Sequence, residues 1–283
     1  MTHVSTQYVS STYRPLDRGT RFQRSHDRVF TENHELGFQS SVPSTSCLDP
    51  ARSDRNWYSA VVVSLEQRLA RLGEFYGTLS APPRDPFILF VWEILSVHSI
   101  PRKTAASLLA LKRIPALTPD ALWKAPKGKI EAAVILAGPY REQRLQALRA
   151  GADLFRRTPR LPAIVRGPLA AARRALKPLP QLGDAGAHRM LLFAADHPVV
   201  PVDARVNRVG LRLGYGTASE TFRLPARSVQ RALTAELEPN AAAFRRAYLY
   251  LSHHGVATCT EGDPHCAICP LLQGCPEGAN RVS

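Results

Sequence analysis

Four of the chain's five cysteines fall within one short stretch near the C-terminus, CTEGDPHCAICPLLQGC, at Cys259, Cys266, Cys269 and Cys275. Thiolates gathered this closely either hold a metal centre or cross-link as disulfides. A zinc site usually pairs its ligands in two C-x2-4-C knuckles separated by a longer loop. Here the spacing is C-x6-C-x2-C-x5-C, and only Cys266 and Cys269 form such a knuckle. Four thiolates wrapped into one loop fit a compact [4Fe–4S] cluster, which takes four cysteine ligands. The spacing favours iron–sulfur and leaves zinc and a disulfide knot open.

A second chemical signal is charge. Lys and Arg number 37 against 23 Asp and Glu, a formal net charge of +14. A surplus of this size points to a polyanionic partner, of which nucleic acid is the commonest. It is concentrated in residues 141–177, which carry ten basic side chains against Glu142 and Asp153. That stretch leads into LPQLGDAGAHRM, a Pro- and Gly-bounded turn opening a helix. Such a turn presents backbone N–H groups and the positive end of the helix dipole to a phosphate.

The elements that must position these residues are helical. From Trp57 the sequence runs in apolar residues at three- and four-residue spacing, beginning with WYSAVVVSLEQRLARLGEFYG and then DPFILFVWEILSVHSI. Further segments follow, each bounded by Pro, Gly or Thr-Pro, and VRGPLAAARRALK is read among them as a single run. No alternating pattern suggests a sheet, so the body is expected to be all-α. Residues 1–55 are rich in Ser, Thr and Arg and lack periodicity. They cannot offset their ordering entropy by burial and are expected to be a disordered tail, with Cys47 a bystander thiol. No stretch approaches the roughly 18 uninterrupted apolar residues of a membrane span. The N-terminus has no apolar signal core, so an intracellular protein is expected, cytoplasmic or nucleoid-associated in a bacterium.

Taken together, the cysteine loop and the helix before it, AYLYLSHHGVATC, resemble the cluster region of the endonuclease III and adenine-glycosylase branch of the helix-hairpin-helix DNA glycosylases. Two further motifs agree. LPQLGDAGA resembles the family's hairpin L-P-G-[VI]-G-x-x-T-A, with Leu179, Pro180, Leu182, Gly183 and Ala187 in register and Gln181 in place of the first glycine. VPVDARVNRV resembles V-D-[TS]-[HN]-[VI]-x-R-V through Val202, Asp203, Val206, Arg208 and Val209, while Ala204 and Arg205 depart from it.

The resemblance implies a two-lobed, all-α glycosylase fold with a C-terminal iron–sulfur loop. One lobe of six helices would span 85–199 with the hairpin. The other would join 56–84 to 200–283. It implies that Asp203 is the catalytic carboxylate, stabilising an oxocarbenium-like sugar and activating water, although a residue there also suits a plain helix N-cap. It implies a [4Fe–4S] cofactor on Cys259, Cys266, Cys269 and Cys275, and double-stranded DNA carrying a damaged or mispaired base as partner. Nothing requires more than a monomer.

The departures matter as much. Bifunctional members carry a lysine two residues after the second hairpin glycine, where this chain has Ala185. A lysine amine forms a Schiff base with the sugar and cuts the strand; alanine cannot. A monofunctional glycosylase is therefore expected, with a non-catalytic lesion-binding protein as the alternative. Gln181 is expected to alter the hairpin turn or weaken its grip on phosphate. His98 stands where the family's base-gap glutamine lies, either as a wedge or pocket residue or as a buried structural histidine. Tyr140 and Arg141, in LAGPYREQRLQAL, fall on the substrate side by the same resemblance, and with Gln181, Leu182, Gly183 and Ala185 complete the expected DNA-contacting set. The segment between Cys259 and Cys266 is acidic where related enzymes are basic, so the loop is expected to be more a folding element than a DNA contact. Eight residues follow Cys275, so the 8-oxoguanine-linked activity of adenine glycosylases, which uses a further C-terminal domain, is not the expected one.

Overall fold

The computed structural model describes residues 63–218 and 223–282. The 1–55 tail and Cys47 lie outside the described residues. The elements are helical throughout, with no strand among the described residues: α1 Leu65–Tyr76, α2 Pro86–Ser96, α3 Pro101–Arg113, α4 Pro119–Lys124, α5 Lys127–Val134, α6 Arg141–Arg157, α7 Leu161–Arg166, α8 Leu169–Leu176, α9 Gly183–Ala195, α10 Ala204–Arg212, α11 Arg223–Glu236, α12 Ala241–Ala257 and α13 Pro276–Val282. None of them is long and apolar enough to cross a membrane.

Local chemistry explains the boundaries. The helix expected from Trp57 begins at Leu65, because Ser64 forms a capping box with Gln67 that fixes the start, and Gly77 closes it; residues 57–62 are not described. Asp85 caps α2 by accepting from the N–H groups of Phe87 and Ile88, with Pro86 at the first helical position. The segment VRGPLAAARRALK, expected as one run, is broken. Gly167 ends α7 and Pro168 precedes α8, because proline has no N–H to continue a helix.

α2 sits at the centre. Phe87, Leu89, Phe90, Val91, Ile94 and Leu95 are all buried, so the helix is apolar on nearly every side and must be surrounded. α3, α6, α7 and α9 pack against it. In a second group, α10 packs on α11, α12 and α13, and α1 packs on α11 and α12. α9, the helix after the hairpin, touches both groups: α2, α7 and α8 on one side and α12 on the other.

The α2–α6 crossing is tight enough to need glycine. A Cβ on Gly151 would lie 2.1 Å from Phe90 Cε1, and both are buried. Gly151→Ala is expected to destabilise the protein by about 1–3 kcal/mol through overpacking, measurable as a lower urea midpoint with an unchanged slope.

Candidate active site

Three turns and one helix start carry the expected DNA-side residues. His98 follows α2 with φ 48°, and Tyr140 precedes α6 with φ 68°. Both are non-glycine residues in the left-handed region, a conformation that costs about 1–2 kcal/mol and persists only where the surroundings impose it. Their rings lie 5.1 Å apart, tilted by 44°. Arg144, 1% exposed, imposes the arrangement. Its guanidinium donates to the carbonyls of Gly138, at 3.0 Å, and of Pro139 on one turn, and to that of Val97 on the other. His98 itself is exposed, so a buried structural role for it is not what the fold provides. Arg141 is exposed beside Tyr140 in the first turn of α6.

The hairpin runs from α8 through Leu179 and Pro180 to α9. Gln181 has φ 56°, and Gly183 has φ 56°. Gln181 thus adopts the left-handed conformation that glycine would take freely. Its side chain donates to the Gln143 carbonyl at 3.1 Å, which ties the hairpin to α6. Gln181→Gly is expected to change stability by less than about 1 kcal/mol, because relief of roughly 1–2 kcal/mol of backbone strain is offset by glycine's added unfolded-state entropy of about 0.5–1 kcal/mol and by loss of the Gln143 bond, about 0.5–1.5 kcal/mol. Paired urea titrations check it. Leu182 is buried beneath the turn, Gly183 is exposed, and Ala185 is half-buried in the first turn of α9. Asp184, exposed in that same turn, places a negative charge beside the N–H groups that would receive a phosphate.

The basic stretch divides its labour. Arg144 and Arg149 turn onto carbonyls, Arg149 reaching those of Trp123 and Ala125. Arg156 and Arg157 pair with Asp153 at 2.9 and 2.8 Å. The remaining six, Arg141, Arg160, Arg166, Arg173, Arg174 and Lys177, are exposed, and among the described residues none of them has an acidic partner.

Asp203 is the N-cap of α10. Its Oδ1 accepts from the backbone N–H groups of Arg205 and Val206, each at 3.0 Å. Its Oδ2 accepts from Arg189 Nη1 at 3.3 Å and from the Tyr248 hydroxyl at 3.2 Å. Arg189, on α9, also grips Glu93 of α2 with Nε at 2.8 Å and Nη2 at 2.5 Å, and its guanidinium lies 5.7 Å from the centroid of the Tyr248 ring. Burial opposes charge on Arg189, but Glu93, Tyr248 and Asp203 outweigh it and hold its pKa well above the ordinary arginine value. Burial also raises the Tyr248 hydroxyl well above the usual range, partly offset by Arg189. So α2, α9, α10 and α12 each contribute one side chain to a single polar centre. Sequence reasoning identified Asp203 and missed the other three. Glu93 in FILFVWEIL and Arg189 in AHRMLLFAA are lone charges in apolar runs, and such charges are buried only when paired.

The four cysteines are half-buried and line one pocket with Val209, Leu213, His254, Thr258 and Leu272. Donors point at the sulfurs. Arg212 Nη1 lies 3.3 Å from Cys259 Sγ, the Leu271 N–H 3.4 Å from Cys269 Sγ, and the Gly278 N–H 3.3 Å from Cys275 Sγ. His254 Nε2 lies 3.6 Å from Cys269 Sγ, while its Nδ1 meets the Tyr76 hydroxyl at 2.8 Å. Burial, with a smaller push from His253, lowers His254 to about 4, so the ring is neutral near pH 7. Burial raises the Cys269 thiol to about 11, with the neighbouring cysteines adding to the shift, and raises Cys275 as well. Among the described residues no three His, Cys, Asp or Glu side chains converge closely enough to hold a single ion. The loop is tied back to the body by Arg212, which donates to the Thr260 and Glu261 carbonyls at 2.6 and 3.1 Å. Arg208 binds the Cys259 and Gly255 carbonyls, and Arg68 of α1 the Gly274 carbonyl at 2.9 Å.

Comparison with solved structures places this architecture. Endonuclease III trapped in a covalent intermediate with DNA, an estranged-adenine complex, superposes with a TM-score of 0.63 at 21% identity, covering 78% of this chain and 99% of the other. The fold is that of endonuclease III. A thermostable thymine-DNA glycosylase shares the endonuclease III fold with a TM-score of 0.60 at 18% identity, over 76% of this chain and 97% of its own. A Helicobacter pylori 3-methyladenine DNA glycosylase, MagIII, bound to 1,N6-ethenoadenine, shares it at 0.55 and 13% identity, over 68% and 97%. No family model and no curated protein sequence matches the chain.

Proposed function

We propose that this protein is a DNA N-glycosylase that turns a damaged or mispaired base out of duplex DNA and hydrolyses its bond to the sugar, without cutting the strand. One observation carries the reading: the fold brings a carboxylate, Asp203, to the hairpin helix, fixed in orientation by its helix cap, Arg189 and Tyr248. As the bond from C1′ to the base nitrogen breaks, its electrons leave with the base and the sugar becomes oxocarbenium-like. A carboxylate held beside it stabilises that charge and directs water to C1′. At Ala185 there is no amine to intercept the sugar, which supports hydrolysis over strand cleavage. The exposed basic side chains and the hairpin amides would hold the phosphates, with His98 and Tyr140, stacked on their two clamped turns, facing the space the base leaves. In this reading the duplex lies across the groove between an 85–199 lobe and a lobe made of 56–84 and 200–283. The substrate places a monomeric enzyme wherever the cell keeps its DNA.

The cysteine pocket suits a [4Fe–4S] cluster held by Cys259, Cys266, Cys269 and Cys275. All four cysteines line that one pocket. N–H donors aim at three of the four, as thiolate ligands require. A Cβ on Gly278 would lie 3.4 Å from Cys275 Sγ and 3.0 Å from Leu272, so the backbone of α13 passes close beneath that sulfur. A cluster bound here would lock the loop as a unit, metal binding and folding being one free energy.

A non-catalytic lesion-binding protein is the second reading, favoured by the full hydrogen-bonding of both Asp203 oxygens. Single-turnover incubation with duplexes carrying a panel of lesions and mismatches, read with and without alkali, separates the two. Strand breaks only after alkali are expected. Tight binding with no base release from any duplex would replace this reading by the second one.

A further inference from the structure

The glycosylase reading leaves an electrostatic problem at Asp203. A carboxylate hydrogen-bonded to a largely buried guanidinium is half-neutralised, whereas the sugar it must stabilise is a cation. Arg189 on its own would bring the centre to zero net charge. The fold supplies a second carboxylate. Glu93 is 4% exposed in the middle of apolar α2, and both its oxygens bind Arg189. Glu93 packs closely on the hairpin helix: at Gly186 a Cβ would stand 3.3 Å from Glu93 Oε2 and 3.0 Å from Leu182.

We propose that Glu93, Arg189 and Asp203 act as one charge-balanced unit, in which Glu93 cancels Arg189 so that the centre keeps a net charge of minus one facing a cationic sugar. The inference rests on the glycosylase reading and deepens it. Glu93 is a positioning residue: it touches Arg189, not the substrate. Arg189 gains a dual duty, orienting Oδ2 of Asp203 by its hydrogen bond while its charge is spent on Glu93. Tyr248, the remaining donor to Oδ2, stays neutral and leaves the balance unchanged.

The test measures affinity of the full chain for two duplexes. One carries a pyrrolidine, a cationic sugar mimic, in place of a single nucleotide; the other carries a neutral tetrahydrofuran. Their Kd ratio reads the charge of the centre without requiring catalysis. The wild type is expected to prefer the cationic duplex by on the order of tenfold or more, and Glu93→Gln to lose about tenfold of that preference. One unit charge roughly 8 Å away contributes this much at an effective dielectric constant between about 20 and 80. Glu93→Gln/Arg189→Gln restores the net charge and is expected to recover the preference to within about threefold, which a purely structural role for the pair would not do.

An unchanged ratio in a folded Glu93→Gln overturns the proposal, as does a double variant no better than the single one. Should Glu93→Gln fail to fold, the double variant decides: loss of the preference there shows that the hydrogen bonds, not the charge balance, matter. A wild type that releases a base yet binds both duplexes equally sinks only this inference. A wild type that neither releases a base nor binds either duplex removes the glycosylase reading and this inference together.

Discussion

Asp203→Asn is expected to lower single-turnover base release by about 10³-fold, within the range of about 10²–10⁴ typical of a positioned acid or base, while duplex affinity stays within a few-fold. The substitution keeps the helix start because of where Asp203 sits. Asparagine caps helices about as well as aspartate, so the N–H groups of Arg205 and Val206 keep an acceptor and α10 keeps its start. An NH2 then stands in place of Oδ2: the Tyr248 hydroxyl can turn to accept from it, while Arg189 loses this acceptor and keeps Glu93. What disappears is the charge that meets the developing sugar cation. Thermal melts should show at most a modest loss, from the contact of the new NH2 with Arg189, and the loss of rate should appear in the chemical step rather than in binding. Base release at the wild-type rate would remove Asp203 from the mechanism.

The second large effect is expected in the cysteine loop. Cys269→Ser should reduce bound iron and sulfide from about four each to a small residue, since a [4Fe–4S] cluster takes four cysteine ligands, and lower the melting temperature by about 10 °C or more. A loss of roughly 3–5 kcal/mol in a chain of this size shifts Tm by that amount. The loop does more than enclose its pocket. Residues 273 and 274 accept from Arg71 and Arg68 of α1, and residues 259–261 accept from Arg208 and Arg212 of α10. Loosening it therefore releases two helices of the body. Iron and sulfide analysis beside calorimetry checks both halves. A colourless wild type carrying zinc would replace the cluster with a single-ion site.

The helical plan was legible because apolar spacing and Pro/Gly punctuation act locally. α2 starts where Asp-Pro says it should, and α1 ends at its glycine. The split at Gly167-Pro168 was written in the sequence by the same rule that marked the other boundaries. Asp203, the hairpin and the four cysteines drew notice because each sits in a short motif, and for Asp203 the cap expected from its position is what the structure holds. The partners of Asp203 were not legible: Glu93 lies 110 residues before it and Arg189 and Tyr248 lie on other helices, so only tertiary packing brings them together. The roles of the basic stretch were also hidden. Nothing local distinguishes Arg144, buried beneath two strained turns, from Arg141, exposed three residues earlier.

α10 is short, nine residues from Ala204 to Arg212, or about 13 Å at the helical rise. Asp203 begins it, and Arg212, which reaches Cys259 Sγ and the Thr260 and Glu261 carbonyls, ends it. A rod of that length has no internal joint, so whatever fixes one end fixes the other. Thermodynamic linkage then runs both ways. In the proposed glycosylase, a loop ordered around a cluster would hold the carboxylate in register for the sugar. A sugar bound against that carboxylate would, in turn, tighten the loop's hold on a cluster by the same free energy.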